Sequence, residues 1–290
     1  MLVLQTLIDG LVLGGIYALS AVGFSLIFGV LHVINLSHGV LVLIGAYLAL
    51  LLSSTLHIDP LLTTPLVMAM LFGLGYAYQR WLIHFAADES GLGSMLLTFG
   101  VALMLQNALL WLFSPDTASI TPSYAFRSLH LFGLSLDVVR VSALLSSLVL
   151  LFCLALVLKW TPFGRIIRAT AQQNLAARLC GVNVRQVFAL TFGVSAAFAG
   201  ASGIVIGIVL PFSPSDEAGL TLNAFIVVTL GGVGSPSGAL LGGLLLGVIS
   251  TMTSRYIGPE FPNAMMFMIL VIMLMVRPNG LLGNAFSASR

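Results

Sequence analysis

Charged side chains are scarce in this sequence: Asp, Glu, Lys and Arg make up 7% of its 290 residues, against roughly 25% in an average soluble protein. So few charges could not cover the surface of a soluble fold of this size. They are absent from residues 10–58, 90–115, 141–158, 186–215 and 218–254. Because a membrane-spanning helix needs only about 20 apolar residues, we predict one all-α polytopic membrane domain over residues 1–290.

Residues that usually carry catalysis or bind metals are also few. The two cysteines, Cys153 and Cys180, lie in an apolar run and in a polar segment and imply no disulfide framework. The sequence has no His-Glu-x-x-His motif, no Gly-x-Ser-x-Gly motif and no Cys/His cluster at metal-ligand spacing. A phosphate-binding loop needs a lysine after its glycines, whereas the sole lysine is Lys159. We therefore expect no catalytic residue, metal, cofactor or nucleic-acid partner.

The apolar runs predict about eight transmembrane helices, with a range of seven to ten. They lie near residues 11–31, 39–56, 61–84, 94–113, 138–159, 187–210, 238–256 and 262–277. Between the sixth and the seventh, residues 219–234 include an apolar part that is too short for a full crossing. This stretch is a half-helix, a re-entrant segment or a short tilted span, and the sequence leaves the three open.

The basic residues are concentrated in residues 159–186, a polar stretch without an acid. They are Lys159, Arg165, Arg168, Arg178 and Arg185. The positive-inside rule predicts that this stretch is cytoplasmic, and counting helices from it puts the N-terminus and residues 114–137 outside. The same count puts Arg80, Asp88, Glu89, Arg277 and Arg290 inside, and most acids, among them Glu217, outside. No basic segment or convincing cleavage site indicates a removable signal peptide.

The first candidate functional segment is the polar interruption Asn35-Leu36-Ser37-His38-Gly39 between two apolar runs. Polar groups within a membrane need partners, so such residues are functional-site candidates. If residues 36–39 begin the second helix, its free N–H groups could meet an anionic group such as a carboxylate. Alternatively, Asn35 and Ser37 only cap that helix, and His38 is a solvated loop histidine.

The second candidate segment is Gly231-Gly232-Val233-Gly234-Ser235-Pro236-Ser237-Gly238. Such a run cannot form a regular helix that faces lipid. Broken helices at membrane depth are tolerated where they are buried or line a cavity, and they often mark transporter sites. An ordinary tight loop in water is the alternative.

The third candidate segment lies within residues 160–186. Pro162-Phe163-Gly164 is predicted to end the fifth helix, residues 165–179 have helical character, and Gly181 is a plausible C-cap. A basic amphipathic helix there could lie on anionic lipid or dock a cytoplasmic partner.

Stripes of small residues at every fourth position, Ser195 to Gly207 and Ser235 to Gly247, predict close helix packing.

Taken together, the three segments resemble one family closely. The chain is similar to permease subunits of branched-chain amino-acid ABC importers, of the LivH type, over nearly its whole length. The most specific matches are Ile34-Asn35-Leu36-Ser37-His38-Gly39, Gly164-Arg165 through Arg168-Ala169 to Gly181-Val182-Asn183, and Leu230-Gly231-Gly232-Val233-Gly234-Ser235 with Gly238.

The resemblance implies a subunit of a bacterial inner-membrane importer that binds no nucleotide itself. It would pair with a second homologous permease, rest on two cytoplasmic ABC ATPase subunits and receive solute from an external binding protein. The substrate pathway would involve Asn35, Ser37, His38, Gly39, Gly231, Gly232, Gly234 and Ser235. The ATPase-coupling helix would involve Gly164, Arg165, Arg168, Ala169, Gln172, Ala176 and Gly181.

The sequence departs from the family pattern at two places. Ala176, Ala177 and Gly181 keep the spacing of the importer coupling signature, but Leu175 occupies its Glu position. Val40 stands where close relatives often carry an acid. The implied substrates therefore extend from leucine, isoleucine and valine to urea, short amides and aromatic acids.

The rival interpretation is a stand-alone passive channel for a small neutral solute, in which breaks at residues 35–39 and 231–238 meet at the midplane. Neither break contains Asn-Pro-Ala, and the two do not resemble each other. The scarcity of ionisable residues in the spans argues against a proton- or ion-coupled carrier.

Overall fold

The computed structural model describes residues 2–86, 92–125, 127–131, 134–277 and 279–282. Asp88, Glu89 and Arg290, which the charge pattern places inside, lie outside the described residues. The described chain is almost entirely helical, and the helices follow the apolar runs. Seven helical stretches are long and apolar enough to cross a membrane, and the shorter apolar helix Pro262–Val276 follows them. The prediction of an all-α polytopic membrane protein with about eight spans is confirmed.

The helices are named α1 to α12 in chain order. They are α1 Leu2–Leu31, α2 His38–Leu56, α3 Thr64–Tyr78, α4 His84–Ala86, α5 Leu92–Phe113, α6 Val138–Trp160, α7 Pro162–Gln172, α8 Asn174–Leu179, α9 Val184–Val209, α10 Glu217–Gly231, α11 Pro236–Tyr256 and α12 Pro262–Val276. A 3-10 turn, Pro60–Thr63, precedes α3, a π-helical turn, Gln79–Ile83, follows it, and Pro214–Asp216 forms a 3-10 turn before α10.

A short β-hairpin interrupts the connection between α5 and α6. Strands β1, Ser128–Leu131, and β2, Leu134–Asp137, pair antiparallel with Ser128 opposite Asp137. The sequence analysis did not anticipate it. The same connection forms a bridge between Ala118 and Phe212, which ties it to the segment that precedes α10.

Helix α1 is central to the bundle and packs along α11, α9 and α6. Alanine or glycine at the contacts lets α1 and α11 approach closely: a methyl group at Gly243 would lie 2.6 Å from the Ala18 nitrogen and 2.7 Å from the Gly14 carbonyl oxygen. Gly203 likewise lies against the backbone of α2 at Val42 and Ala46. The stripes of small residues thus form helix contacts, as their spacing predicts.

Long-range contacts fix the direction of the helices. Arg140 at the start of α6 forms an ion pair of 2.8 Å with Asp9 near the start of α1, so these two helices run in the same direction. Both end near α7. We call the end of the bundle that carries α7 and α8 the α7 face, which the charge pattern predicts to be cytoplasmic, and the opposite end the Asp9 face.

Residues 162–179 differ from their prediction in one respect. Pro162-Phe163-Gly164 begin α7 instead of ending the preceding helix, because Thr161 caps α7 by accepting the Gly164 N–H at 3.1 Å. The predicted single helix is broken at Gln173, whose backbone is extended, so α7 and α8 are separate. Gly181 follows α8 with φ +83°, a conformation that favours glycine, and the predicted C-cap is confirmed.

Candidate functional site

Helix α2 begins inside the bundle, not at its surface. The His38 Nε2 atom lies 3.1 Å from the Ser20 carbonyl oxygen of α1. Since α1 continues to Leu31 at 1.5 Å per residue, His38 lies about 16 Å from the α7-face end of α1. Residues 32–37 therefore turn back into the membrane-spanning part of the bundle, and α2 runs from there to the Asp9 face.

Helix α10 begins at the same depth but runs the other way. After α9 ends at Val209, the chain turns inward, with Phe212 packed edge-on against Tyr47 of α2 at a centroid distance of 5.0 Å. It then reaches Glu217, whose carbonyl oxygen lies against Gly39. Helix α10 has 15 residues and ends at Gly231 on the α7 side. Residues 219–231 therefore belong to a short helix that starts at depth, which is the half-helix among the options predicted for residues 219–234.

The first turns of α2 and α10 thus meet, and we call this meeting point the junction. It is formed by Asn35, Ser37, His38, Gly39, Glu217 and Thr221. The Gly39 N–H donates to the Thr221 Oγ1 atom at 2.8 Å. Because the N-terminal ends of both helices carry partial positive charge, their free N–H groups could receive an anionic group, while the carboxyl group of Glu217 lies at the same point.

Gly39 allows this close approach because it has no side chain. A methyl group there would collide with the Glu217 carbonyl oxygen and lie 2.6 Å from the Thr221 hydroxyl oxygen. A larger residue would push α2 and α10 apart. Gly39 is therefore a structural requirement of the junction, whatever passes it.

The loop before α2 is held by hydrogen bonds to α3 and α5. The Asn35 Oδ1 atom accepts from the Ser37 hydroxyl at 2.7 Å and from the Ser37 N–H at 3.1 Å. The Ser37 hydroxyl is also 3.2 Å from the Tyr78 hydroxyl, and the Leu36 N–H donates to Thr98 at 3.2 Å. Neither Asn35 nor Ser37 caps α2 with its side chain, so capping does not explain them.

His38 is fully buried, so the alternative of a solvated loop histidine is wrong. Its ring meets the Phe24 ring edge-on at a centroid distance of 5.4 Å. The Nε2 atom contacts Ser20, whereas the buried Nδ1 atom has no hydrogen-bond partner in the described part of the chain. The buried Asn35 Nδ2 atom also has none. The junction thus has polar atoms whose hydrogen-bonding capacity is unused.

Glu217 is the residue that the sequence analysis missed. The expectation placed it outside with the other acids, but it is only 7% exposed and lies at the junction. A signal was available: Glu217 directly follows the turn-forming residues Ser213-Pro214-Ser215-Asp216 and precedes an apolar run too short to cross a membrane. The first residue of a short helix that begins inside the bundle lies inside the bundle as well.

The glycine-rich break lies elsewhere, closer to the α7 face. The Gly234 N–H donates to the Ser25 hydroxyl of α1 at 2.9 Å, and Ser235 caps α11 by accepting the Gly238 N–H at 3.0 Å. Gly231 packs against Gly238 where α10 and α11 meet. The break is thus a tightly packed turn between two helices, about 7 Å along α1 from the level of His38.

Residues after α12 close this turn. The Leu281 N–H donates to the Leu230 carbonyl at 2.8 Å, the Leu282 N–H donates to the Gly231 carbonyl at 3.2 Å, and Gly280 lies against Gly232. Within the described ranges, no hydrogen bond joins Gly231, Gly232, Gly234 or Ser235 to residues 35–39. Both breaks contact α1, but at different depths, so the midplane meeting that the rival channel interpretation requires is not formed.

The α7–α8 segment presents one face to the outside of the bundle. Gly164 is buried against the Leu158 carbonyl, and the half-buried Arg168 donates to that carbonyl oxygen. These two residues hold α7 on the end of α6. The remaining residues of the predicted coupling set are exposed: Arg165, Ala169, Gln172, Ala176 and Gly181.

Two leucines, which the sequence analysis did not select for docking, extend this exposed face. Leu175 is 64% exposed and Leu179 is 82% exposed. Both lie on α8, beyond the break at Gln173. Apolar side chains beside arginines are typical of a surface that docks another protein.

Comparison with known proteins agrees with this architecture. The family model for the branched-chain amino acid transport system permease component matches residues 6–276. The chain is 29% identical to the high-affinity branched-chain amino acid transport system permease protein BraD of Pseudomonas aeruginosa, over 97% of this chain and 96% of BraD. It is 28% identical to LivH of Escherichia coli over the same shares.

A second type of permease protein is also similar. The chain is 26% identical to the high-affinity branched-chain amino acid transport system permease protein LivM of Escherichia coli, over 92% of this chain and 68% of LivM. No solved structure matches the chain significantly.

Proposed function

The chain belongs to the branched-chain amino acid transport permease family, and on that premise we propose that it is the membrane-spanning subunit of an ATP-driven importer. Branched-chain amino acids are the leading substrates, and urea, short amides and aromatic acids are the alternatives within the same proposal. The family match over residues 6–276 carries the proposal. ATP hydrolysis takes place on separate subunits, and the protein resides in a bacterial inner membrane.

The pathway part of the proposal assigns Asn35, Ser37, His38 and Gly39 to the route of the solute. Support comes from their burial, from unused hydrogen-bonding atoms on Asn35 and His38 and from the convergence of two helix N-termini. The turn that contains Gly231, Gly232, Gly234 and Ser235 borders the route nearer the α7 face. Because this turn bonds to Ser25 and residues 279–282, its role is to position α10.

The coupling part of the proposal assigns the exposed face of α7 and α8 to an ATPase subunit. Arg165, Ala169, Gln172 and Ala176 are accessible there. Gly164 and Arg168 fix this segment to α6 through the Leu158 carbonyl. A push on α8 would thereby reach α6 and, through α1, the junction.

The partners in this proposal are a second homologous permease, two ATPase subunits and an external solute-binding protein. Similarity to both LivH and LivM supports the pairing of two related permeases. The energy source is inferred from the family and the exposed α7–α8 face. The scarcity of charge does not establish it, because Glu217 is an ionisable group at depth.

The decisive experiment is co-purification with the products of neighbouring genes, followed by solute-stimulated ATPase assays. We expect stimulation by leucine, isoleucine or valine in the presence of the binding protein, with amides, urea and aromatic acids as comparison solutes. The chain alone in liposomes serves as the control. Solute conduction by the chain alone would instead support a passive channel.

A further inference from the structure

Glu217 has a buried carboxyl group that no cation of the described residues pairs with. Of the acidic residues that the structure describes, it is the one whose side chain is buried. Asp9 pairs with Arg140, and Asp216 accepts the Ser213 N–H at 2.7 Å. No arginine, lysine or histidine in the described ranges forms an ion pair with Glu217.

The hydrogen bonds at Glu217 are also poor. Its Oε1 atom is 3.4 Å from the Thr221 hydroxyl, which lies at 3.5 Å from the Leu36 carbonyl as well. A hydroxyl has a single hydrogen, so it can serve only one of these long contacts at a time. A buried carboxylate with at most one long hydrogen bond is costly unless a cation reaches it.

Unused donor and acceptor atoms lie in the loop that contacts the same threonine. The Leu36 carbonyl oxygen contacts Thr221. Asn35 directly precedes Leu36, and His38 lies two residues after it. The Asn35 Nδ2 atom is a buried donor without a partner, and the His38 Nδ1 atom is an acceptor if Nε2 donates to Ser20. A carboxyl group without a cationic partner, an unused donor and two helix N-termini with partial positive charge together match the two charged groups of a zwitterion.

We infer that Glu217 binds the ammonium group of an α-amino acid at the junction, while the Asn35 amide and the N–H groups that remain free in the first turns of α2 and α10 receive its carboxylate. The inference rests on the proposed function and deepens it, because it identifies the group that makes an amino acid acceptable. A solute without an ammonium group leaves Glu217 uncompensated. The junction therefore disfavours neutral amides and simple carboxylic acids.

The test measures binding of radiolabelled leucine to the purified transporter complex without ATP and without the binding protein. Competition by 3-methylbutylamine, which keeps the ammonium group, is compared with competition by 4-methylpentanoate, which lacks it. The variants are Glu217→Gln, which removes the charge, and Glu217→Asp, which keeps it on a shorter side chain. Glu260→Gln is the matched control, because Glu260 is exposed and distant in sequence from the junction.

We expect Glu217→Gln to weaken leucine binding and competition by the amine at least tenfold, with little change in competition by the acid. Glu217→Asp retains part of the competition by the amine, and Glu260→Gln binds leucine and both competitors as the wild type does. If the complex with Glu217→Gln fails to assemble, Glu217→Asp tests the inference instead. The shorter carboxylate should weaken competition by the amine more than competition by the acid.

Unchanged amine competition in the assembled Glu217 variants would overturn the inference and leave the proposed function intact, since the carboxyl group is then neutral or only structural. A wild-type complex that moves another solute but binds neither leucine nor the amine would overturn the inference and the choice of branched-chain amino acids as leading substrates, while the importer itself would stand. Thermal melting of each complex separates loss of binding from loss of fold.

Discussion

The junction and the α7–α8 segment are both polar interruptions between apolar spans, yet they fold in opposite ways. The junction turns inward, where Asn35, Ser37 and His38 are buried and one side-chain nitrogen of Asn35 and one of His38 have no partner in the described residues. The α7–α8 segment turns outward, with Arg165 and Arg178 exposed at one end of the bundle. The difference follows from chemistry: small neutral groups can be buried at moderate cost, whereas several cations without acids cannot.

The comparison also separates two ways of using a helix end. Two N-termini at the junction approach within one hydrogen bond, the 2.8 Å contact from Gly39 to Thr221. The ends of α7 and α8 lie at the surface, where their exposed residues are free for a partner. We therefore expect substitutions at the junction to act through packing and solute binding, and substitutions on α8 to act through docking.

The largest effect is expected from Gly39→Ala. A methyl group there collides with the Glu217 carbonyl, so α2 and α10 must separate. We expect the complex to lose about 1–3 kcal/mol or more of stability, as overpacking costs, and to lose uptake. The measurements are thermal melting and solute uptake of the purified complex in vesicles.

Gly73→Ala is the matched control for Gly39→Ala. Gly73 is also in a membrane-spanning helix, but nothing lies within 4 Å of an added methyl group. Normal stability of both variants would show that the junction opens without cost and would remove the contrast between the two regions.

The next largest effect is expected from Leu179→Asp on α8. The side chain is 82% exposed, so an acid there should leave the fold unchanged. If this face docks an ATPase, a buried charge at the interface should weaken association about tenfold or more. Pull-down of the ATPase and solute-stimulated hydrolysis provide the measurement.

Cys180→Ser is the control for Leu179→Asp, because Cys180 is exposed and adjacent but contributes little apolar surface. Wild-type coupling in Leu179→Asp would exclude α8 from the docking surface. Gly164 and Arg168 are less suitable positions for this test, because they hold α7 on Leu158 and their loss would disturb the fold.

A smaller effect is expected from Asn35→Ala. The change removes the acceptor of the Ser37 N–H and hydroxyl and the unused Nδ2 donor. Loss of buried hydrogen bonds costs about 1–3 kcal/mol, and uptake should fall severalfold while the complex still assembles. Uptake kinetics and gel filtration measure the two effects.

Asn107→Ala is the matched control, because the Asn107 amide is exposed and bonds at 2.7 Å to the Leu103 carbonyl of its own helix. His38→Ala is a second test of the same solute pathway, at the residue that directly follows Ser37, and is measured by the same uptake assay. Unchanged uptake in both Asn35→Ala and His38→Ala would remove these residues from the solute pathway.

The smallest effect is expected from Ser195→Ala. The Ser195 hydroxyl donates to the Gly23 carbonyl at 2.6 Å and so links α9 to α1 near the level of the junction. Hydrogen bonds between membrane helices contribute about 0.6 kcal/mol on average. The melting temperature of Ser195→Ala should fall slightly more than that of Ser202→Ala, because the Ser202 hydroxyl bonds only within α9. Equal melting of the two variants would show that this link is not needed.

The positions of most spans could be predicted from the sequence, because each is an apolar run of sufficient length. The start of α1 could not. The sequence analysis began the helix at residue 11, after a charge at Asp9, whereas α1 begins at Leu2. Asp9 is tolerated in the helix because Arg140, remote in sequence, pairs with it. A distant ion pair is invisible in a local pattern.

The candidate site was predicted in part. Residues 35–39 were identified from polarity within an apolar background, and the structure buries them together. The assignment of residues 231–238 to the same route stays a prediction, whereas the residues that meet Gly39 are Glu217 and Thr221, which the sequence analysis did not select. Ala118 and Phe212 pair across a long sequence separation and direct the chain inward before α10. Sequence spacing carries no signal for that pairing.

The sequence by itself determined the membrane class, the apolar spans, the small-residue stripes and the basic segment, because these depend on composition and local periodicity. Only the tertiary structure decided at what depth α2 and α10 begin. Depth depends on how residues 32–37 and 210–216 turn back against α1 and α2, and on contacts such as His38 with Ser20. Those contacts join residues far apart in the chain, so Glu217 became part of the site only when the bundle closed.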